Sequence, residues 1–285
     1  MAVKSMPSGA AAHSWRSHAA PSRPGALYLL CWFLGSVLVA FLVLPLVALA
    51  LTQSGASLAG VAGMADVRDA IALSLEGAFL SASCAALIGV PLAYGLARTS
   101  FPGKGVIAAL VDLPLAVPHT VAGIALLMVF GRQGVLGEPL QALVGLKFWG
   151  TIAGIVVAML FVSAPYMVNA ARIGFEAVDP RLEKIARTLG LGPWRTFWRI
   201  TLPLARRSIM TGVTLTYARS ISEFGAVVIL VYYPMTAPVE IYELFLRFGL
   251  DQAAGAAVLL LIVALSLFVI LRLLALSGTA PRENR

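Results

Sequence analysis

Arg219 and Glu223 stand four residues apart in an otherwise apolar stretch, with Ser220 and Ser222 between them. Four residues is about one helical turn, so a guanidinium and a carboxylate at this spacing meet on one helix face. Charged groups in hydrocarbon are costly and normally face a protein interior or a water cavity, paired with a partner. This pair therefore either braces its helix against neighbours or lines a pathway or gate. A carboxylate lining a pathway would repel any anion, so gating or folding suits Glu223 better than binding. The hydroxyls of Ser220 and Ser222 suit hydrogen bonds to a polar group passing by, and equally suit close helix packing. His119 follows the helix-breaking Pro118 and faces either such a path or a satisfied interior.

Other chemistries have little material to work with. Three His and two Cys form no nucleophile–base constellation and no cluster with metal-ligand spacing. Gly103-Lys104 is followed by Gly105 and lacks the earlier glycine of a phosphate loop. The sequence predicts no catalytic, cofactor or metal site on this chain, and hence no enzyme.

The elements that position these residues are membrane helices. Hydrophobic residues make up 60% of the 285 and charged residues only 12%. A soluble domain carries about a quarter charged residues, so lipid must solvate much of this surface. Apolar runs of about 20 residues read as spanning helices. Six are predicted, at 26–51, 70–97, 106–130, 148–170, 208–231 and 253–276. The first is much longer than the roughly 7–15 residues of a signal-peptide core, although Ala48-Leu49-Ala50 resembles a cleavage site. Pro114 and Pro118 predict a bent or broken third helix. Cys31 and Cys84 both fall inside spans, which makes them packing residues rather than a disulfide pair.

Basic residues set the orientation. Sixteen of the 21 Lys and Arg lie on one side of this arrangement, including Arg98, Lys104 and the run from Arg172 to Arg207. Four lie on the other, Arg68, Arg132, Lys147 and Arg247, with Arg219 left inside a span. Both termini are therefore expected in the cytoplasm. The net charge of +8 follows from this asymmetry and calls for no nucleic-acid partner. Residues 1–25 and 277–285 read as cytoplasmic tails. Arg132 and Lys147 would face the outside, as contacts for a docked protein or as ordinary solvated charges.

Between the fourth and fifth spans lies a hydrophilic segment, 171–207, with its own helix signals. Asp179-Pro180 is a helix start, Arg181-Leu182-Glu183-Lys184-Ile185-Ala186-Arg187-Thr188-Leu189 continues it, and Gly190 stops it. Gly192-Pro193 turns the chain into a second stretch through Trp194, Trp198 and Ile200, ending at Leu202-Pro203. On local physics alone, two such helices either lie on lipid headgroups or protrude as a knob for a cytoplasmic partner.

The segment resembles the signature loop of permease subunits of bacterial and archaeal ABC importers. In that pattern Glu-Ala-Ala is followed by three residues, Gly, nine residues, Ile, one residue and Leu-Pro. Gly190, Ile200, Leu202 and Pro203 fit it. Lys184 stands where Glu is expected, Ile185 replaces the first Ala, Ala186 matches, and Glu183 lies one position early. The resemblance implies an all-α permease of the type I importer (MetI-like) architecture spanning 69–276. It also implies that this loop holds a coupling helix seated in a groove of a separate ATPase. Leu182, Ile185, Ala186 and Leu189 would fill the groove, and arginines would pair with acidic groups around it. ATP and Mg would be bound by that partner alone. A second permease subunit, two ATPase subunits and an extracytoplasmic binding protein would complete the assembly in a bacterial or archaeal inner membrane.

Further segments resemble oxyanion permeases. They are residues 112–123 (DLPLAVPHTVAG), 131–137 (GRQGVLG) and 218–226 (ARSISEFGA), with 232–238 (YYPMTAP) beyond. Together they resemble the tungstate/molybdate permease group, with sulfate/thiosulfate permeases as near relatives. A gradient-driven secondary transporter is the alternative class. It predicts discontinuous helices in repeated halves, and no second half matching Pro114/Pro118 is evident. A membrane-embedded enzyme or assembly factor would need His, Asp or Cys gathered at one membrane face.

Overall fold

A computed structural model describes residues 26–277, all in helices and their connections. The expected tail at 1–25, and that at 277–285 from residue 278 onward, lie outside the described residues, and Ser277 is helical. Helix α1 (Ala26–Leu51) has no buried residue and is apolar on every side, as a helix surrounded by lipid must be. It is a compact unit of its own, and the chain from Thr52 onward forms a second.

That second unit is organised on α3 (Ala65–Arg98), a continuous helix of 34 residues, about 51 Å long at 1.5 Å per residue. Its buried face is a stripe of small side chains, Ser74, Gly77, Ala78, Ser81, Ala82, Ala85, Gly89 and Ala93. Small residues let membrane helices approach closely, and α7 (Ile152–Glu176) lies along this stripe. The fit is tight: a Cβ added at Gly77 would sit 3.0 Å from Ile155 Cγ2, and one at Gly89 3.1 Å from Val168 Cγ2. α10 (Leu202–Ile221) completes the central trio. Its Gly212 leaves room for Ala170 on α7. Two apolar clusters fill the trio, one around Ile155, Met159 and Val227, the other around Met167, Phe175 and Ala205.

The expected third span is broken, as its prolines predict. α4 (Lys104–Ala116) and α5 (His119–Phe130) meet at 112° across Val117-Pro118. Asn169 on α7 donates to Asp112 Oδ1 at 2.6 Å, which ties α4 to the trio. Short helices cap both ends: α2 (Gly55–Gly63), α6 (Gly137–Val144), and in the loop α8 (Pro180–Thr188) and α9 (Pro193–Thr196). α11 (Gly225–Leu230), α12 (Ala237–Phe248) and α13 (Leu250–Ser277) finish the described chain.

The expected spans take several forms. Among the described residues four helices, α1, α3, α7 and α13, are long and apolar enough to cross a bilayer, and the bent α4–α5 pair makes a fifth. The expected span at 208–231 is not one helix. α10 stops at Ile221, and α11 restarts at Gly225. The physical reason is solvation by protein: Thr214, Thr216, Tyr217, Ser220 and Glu223 are buried against neighbouring helices. Such a segment need not be apolar throughout, and its polar groups can hold a break.

Candidate coupling and pathway sites

Asp179 caps α8, its Oδ1 accepting from Arg181 N at 2.8 Å, with Pro180 in the first turn. The helix stops where the glycine allows. Gly190 takes φ +88, a left-handed conformation that a Cβ disfavours. Leu191 N closes the turn on Ala186 O at 3.0 Å.

The faces of α8 divide the predicted residues. Leu182, Ile185 and Leu189 point outward, Leu189 with 75% of its surface exposed. Lys184, Arg181 and Arg187 are exposed with them. Ala186 is only 3% exposed and packs inward, so it is not free to fill a partner's groove as the resemblance implies. Glu183 is also turned inward and is 5% exposed. Its Oε1 accepts from Arg98 Nε at 2.8 Å and from Thr201 Oγ1 at 2.9 Å. Arg98 Nη2 also donates to Val178 O at 2.9 Å. The loop is thereby clamped to the end of α3.

The second stretch does not end at Leu202-Pro203. After α9 the chain makes a wide π-turn over Phe197–Thr201 and continues directly into α10, with Pro203 in that helix's first turn. Ile200 and Leu202 are half-buried in this junction. Phe197 anchors it, with its ring 4.8 Å from that of Tyr94 and 6.1 Å from that of Phe175. Trp194 and Trp198 pack edge-on to each other on the exposed side. Arg98, Thr201, Tyr94 and Phe197 are structural partners that the sequence does not single out. The aromatic spacing Trp194-Phe197-Trp198 is the one local signal for them.

At the second candidate site Arg219 and Glu223 do pair, Nη2 to Oε2 at 2.8 Å, but across the end of α10 rather than within it. Glu223 is 1% exposed. Its Oε1 accepts from Ala226 N at 2.9 Å, so the same carboxylate caps α11. Arg219 Nη2 also reaches His119 Nε2 at 2.9 Å, and Nη1 reaches Ser222 Oγ at 3.3 Å. His119 is brought here because glycines let α5 and α11 touch. A Cβ at Gly225 would stand 2.8 Å from His119 Cβ, and one at Gly123 3.0 Å from Ala226 Cα. His119, Thr120, Arg219, Ser222, Glu223, Phe224 and Gly225 line an open concavity of about 560 Å³.

Ser220 is not part of that lining. It is fully buried, with its Oγ 3.0 Å from Ser163 Oγ and 3.2 Å from Ser81 Oγ. Three serines from α10, α7 and α3 thus satisfy one another at the centre of the trio. Ser220 belongs to packing, and Ser222 to the concavity.

A small-residue helical core, a broken span and an exposed helix clamped beneath a long one define a polytopic membrane transport subunit. Residues 85–278 match the family described as the binding-protein-dependent transport system inner membrane component, and the chain belongs to that family. It is 45% identical over 241 residues to the molybdate/tungstate transport system permease protein WtpB of Thermococcus kodakarensis, covering 84% of this chain and 92% of that one. It is 38% identical over 206 residues to the molybdenum transport system permease protein ModB of Escherichia coli K12, covering 71% of this chain and 90% of that one. Its fold is similar to a chain of a bacterial ABC transporter that imports the acidic polysaccharide alginate. That match has a TM-score of 0.72 at 17% identity and covers 89% of this chain and 96% of that one.

Proposed function

We propose that this chain is the permease subunit of an ATP-driven importer for molybdate or tungstate. It forms the path across the membrane and receives its power from a separate ATPase. The observation that carries this reading is α8. Its outward face presents Leu182, Ile185 and Leu189 among Arg181, Lys184 and Arg187, while Glu183 fixes its inward face to Arg98 on α3. An apolar strip ringed by cations fits a groove with an acidic rim, and a helix held this firmly moves its attached spans when the groove moves. Lys184, at the position where the family pattern has Glu, makes an acidic partner group the natural match there.

The substrate class rests on the likeness to WtpB and ModB. Two copies of the permease, two ATPase subunits carrying ATP and Mg, and an extracytoplasmic binding protein form the working assembly, with both permease termini in the cytoplasm. Recognition of the anion lies mainly in the binding protein, so the permease needs weak, short-lived contacts.

Reconstitution of permease, ATPase and binding protein in proteoliposomes tests this. ATP-dependent uptake of labelled molybdate and tungstate is expected, with sulfate a poor competitor. Uptake that persists with a hydrolysis-dead ATPase would overturn the coupling. Equal uptake of sulfate would overturn the substrate class.

A further inference from the structure

We infer that the concavity between α5, the end of α10 and α11 is a transient site for a tetrahedral oxyanion. Arg219 is its charged contact, and Thr120 and Ser222 are its hydroxyl neighbours. The inference rests on the proposed anion transport and adds a place on this chain where the anion is held.

A guanidinium carries five N–H donors in a planar fork. Three of those on Arg219 are engaged, by Glu223 Oε2, His119 Nε2 and Ser222 Oγ. The two that remain, on Nε and Nη1, have no protein partner among the described residues. A fork with free donors suits a tetrahedral oxyanion better than a point charge does.

Glu223 looks like an obstacle, since a carboxylate repels an anion. Its burial weakens the objection. Glu223 is one of the concavity's lining residues yet only 1% exposed, with Oε2 on Arg219 Nη2 at 2.8 Å and Oε1 held by Ala226 N. Solvent in the concavity meets Arg219 and the half-exposed His119 instead. The carboxylate still offsets much of the positive potential, which makes the site weak. A passage needs a site favourable enough to enter and weak enough to leave. The His119 ring lies against the fork, with Nε2 2.9 Å and Nδ1 3.4 Å from Arg219 Nη2, and so helps to hold the guanidinium in place.

A simple structural brace made by the same pair predicts something different, and the two ideas separate by sign. If Arg219 and Glu223 merely brace α10, Arg219→Gln and Glu223→Gln act alike. If Arg219 holds an anion that Glu223 weakens, they act oppositely. The test is equilibrium binding of labelled inorganic molybdate to the purified permease–ATPase complex without binding protein, with labelled sulfate in parallel. Loss of one charge-assisted hydrogen bond predicts about a tenfold weaker retention of anion in Arg219→Gln. Glu223→Gln, whose amide oxygen can still cap Ala226 N–H, is expected to bind several-fold more tightly. Arg219→Lys, lacking the fork, falls between wild type and Arg219→Gln.

Weakening of binding by both Gln variants would overturn the site, as would wild-type binding in Arg219→Gln or no anion binding by the wild-type complex. If Arg219→Gln fails to assemble, Arg219→Lys and Glu223→Gln decide by the same opposed signs. Binding of sulfate alone, with the expected variant pattern, would uphold the site and overturn the molybdate/tungstate assignment.

Discussion

Two buried glutamates organise this permease, each paired with an arginine at 2.8 Å, and they do different work. Glu183 reaches Arg98 across 85 residues of sequence and joins the loop helix α8 to the end of α3. Glu223 reaches back four residues to Arg219 and forward three to Ala226 N, so its bonds stay within one break in the chain. The first is a cross-link between elements. The second is a local fitting that stops one helix, starts another and aims a guanidinium. A pair of the first kind transmits displacement, and a pair of the second kind shapes a surface.

Removing Glu183 should have the largest effect on the fold. Glu183→Ala strands Arg98 in a largely buried position and leaves Thr201 without its acceptor. Loss of one partner of a buried ion pair costs about 3 kcal/mol or more. Thermal unfolding of the purified permease in detergent measures this, and an unchanged Tm would mean that the loop is held by the Phe197 ring contacts without the ion pair. Gly225→Ala comes next. The added Cβ meets His119 Cβ at 2.8 Å, and overpacking of this kind costs about 1–3 kcal/mol. Rates of uptake should fall with stability, because His119 is driven off Arg219. Full uptake by Gly225→Ala would show that the His119 contact is dispensable.

Ile185→Glu sharpens the contrast from the other direction. The side chain is exposed, so stability should change by no more than about 0.5 kcal/mol. On the proposed seating of α8 in an apolar, acid-rimmed groove, stimulation of ATP hydrolysis by loaded binding protein should nevertheless be lost. Normal stimulation would remove α8 from the coupling surface.

The smallest effect is expected at the opposite end of α3. There Glu240 lies near Asp66 and Arg247, and burial first, then Asp66, raises its carboxyl above the ordinary range while Arg247 opposes. A carboxyl raised in the folded state binds its proton more tightly there than in the unfolded chain. Its burden on stability is therefore absent below the ordinary carboxylate range and grows as pH rises through the raised value. Glu240→Gln should raise Tm modestly at neutral pH and leave it unchanged below about pH 4. A Tm difference independent of pH would assign the effect to packing.

Much of this was legible in the sequence wherever the signal is local. Asp179-Pro180 and Gly190 mark the ends of α8 because caps and left-handed turns depend on the residues that form them. Pro114 and Pro118 likewise announce the bend between α4 and α5. Partners distant in sequence were not legible. Nothing near Glu183 points to Arg98, and nothing near Ser220 points to Ser81, 139 residues away, or to Ser163. The break at 222–224 was also hidden. It carries no proline, and it exists because Glu223 caps α11 and because Gly225 alone permits the approach of His119. The family pattern gave the place of the loop helix but not its rotation, so the inward face of Ala186 was not foreseen.

The serine node has a mechanical consequence. The α8 loop is fastened to α3 through Glu183 and runs without interruption into α10 through the π-turn at 197–201. Farther along, Ser81 on α3 and Ser220 on α10 meet at 3.2 Å. Loop, α3 and α10 are thus three members of a triangulated truss, with the hydroxyl contact as its far joint. A triangle cannot shear without changing the length of a side, so the three elements are braced against one another. Flexure is left to the parts outside the triangle, the 112° elbow at Val117-Pro118 and the unwound turn at Ser222–Phe224. His119 stands just after the first of these places, and Arg219 in the last turn of α10 just before the second.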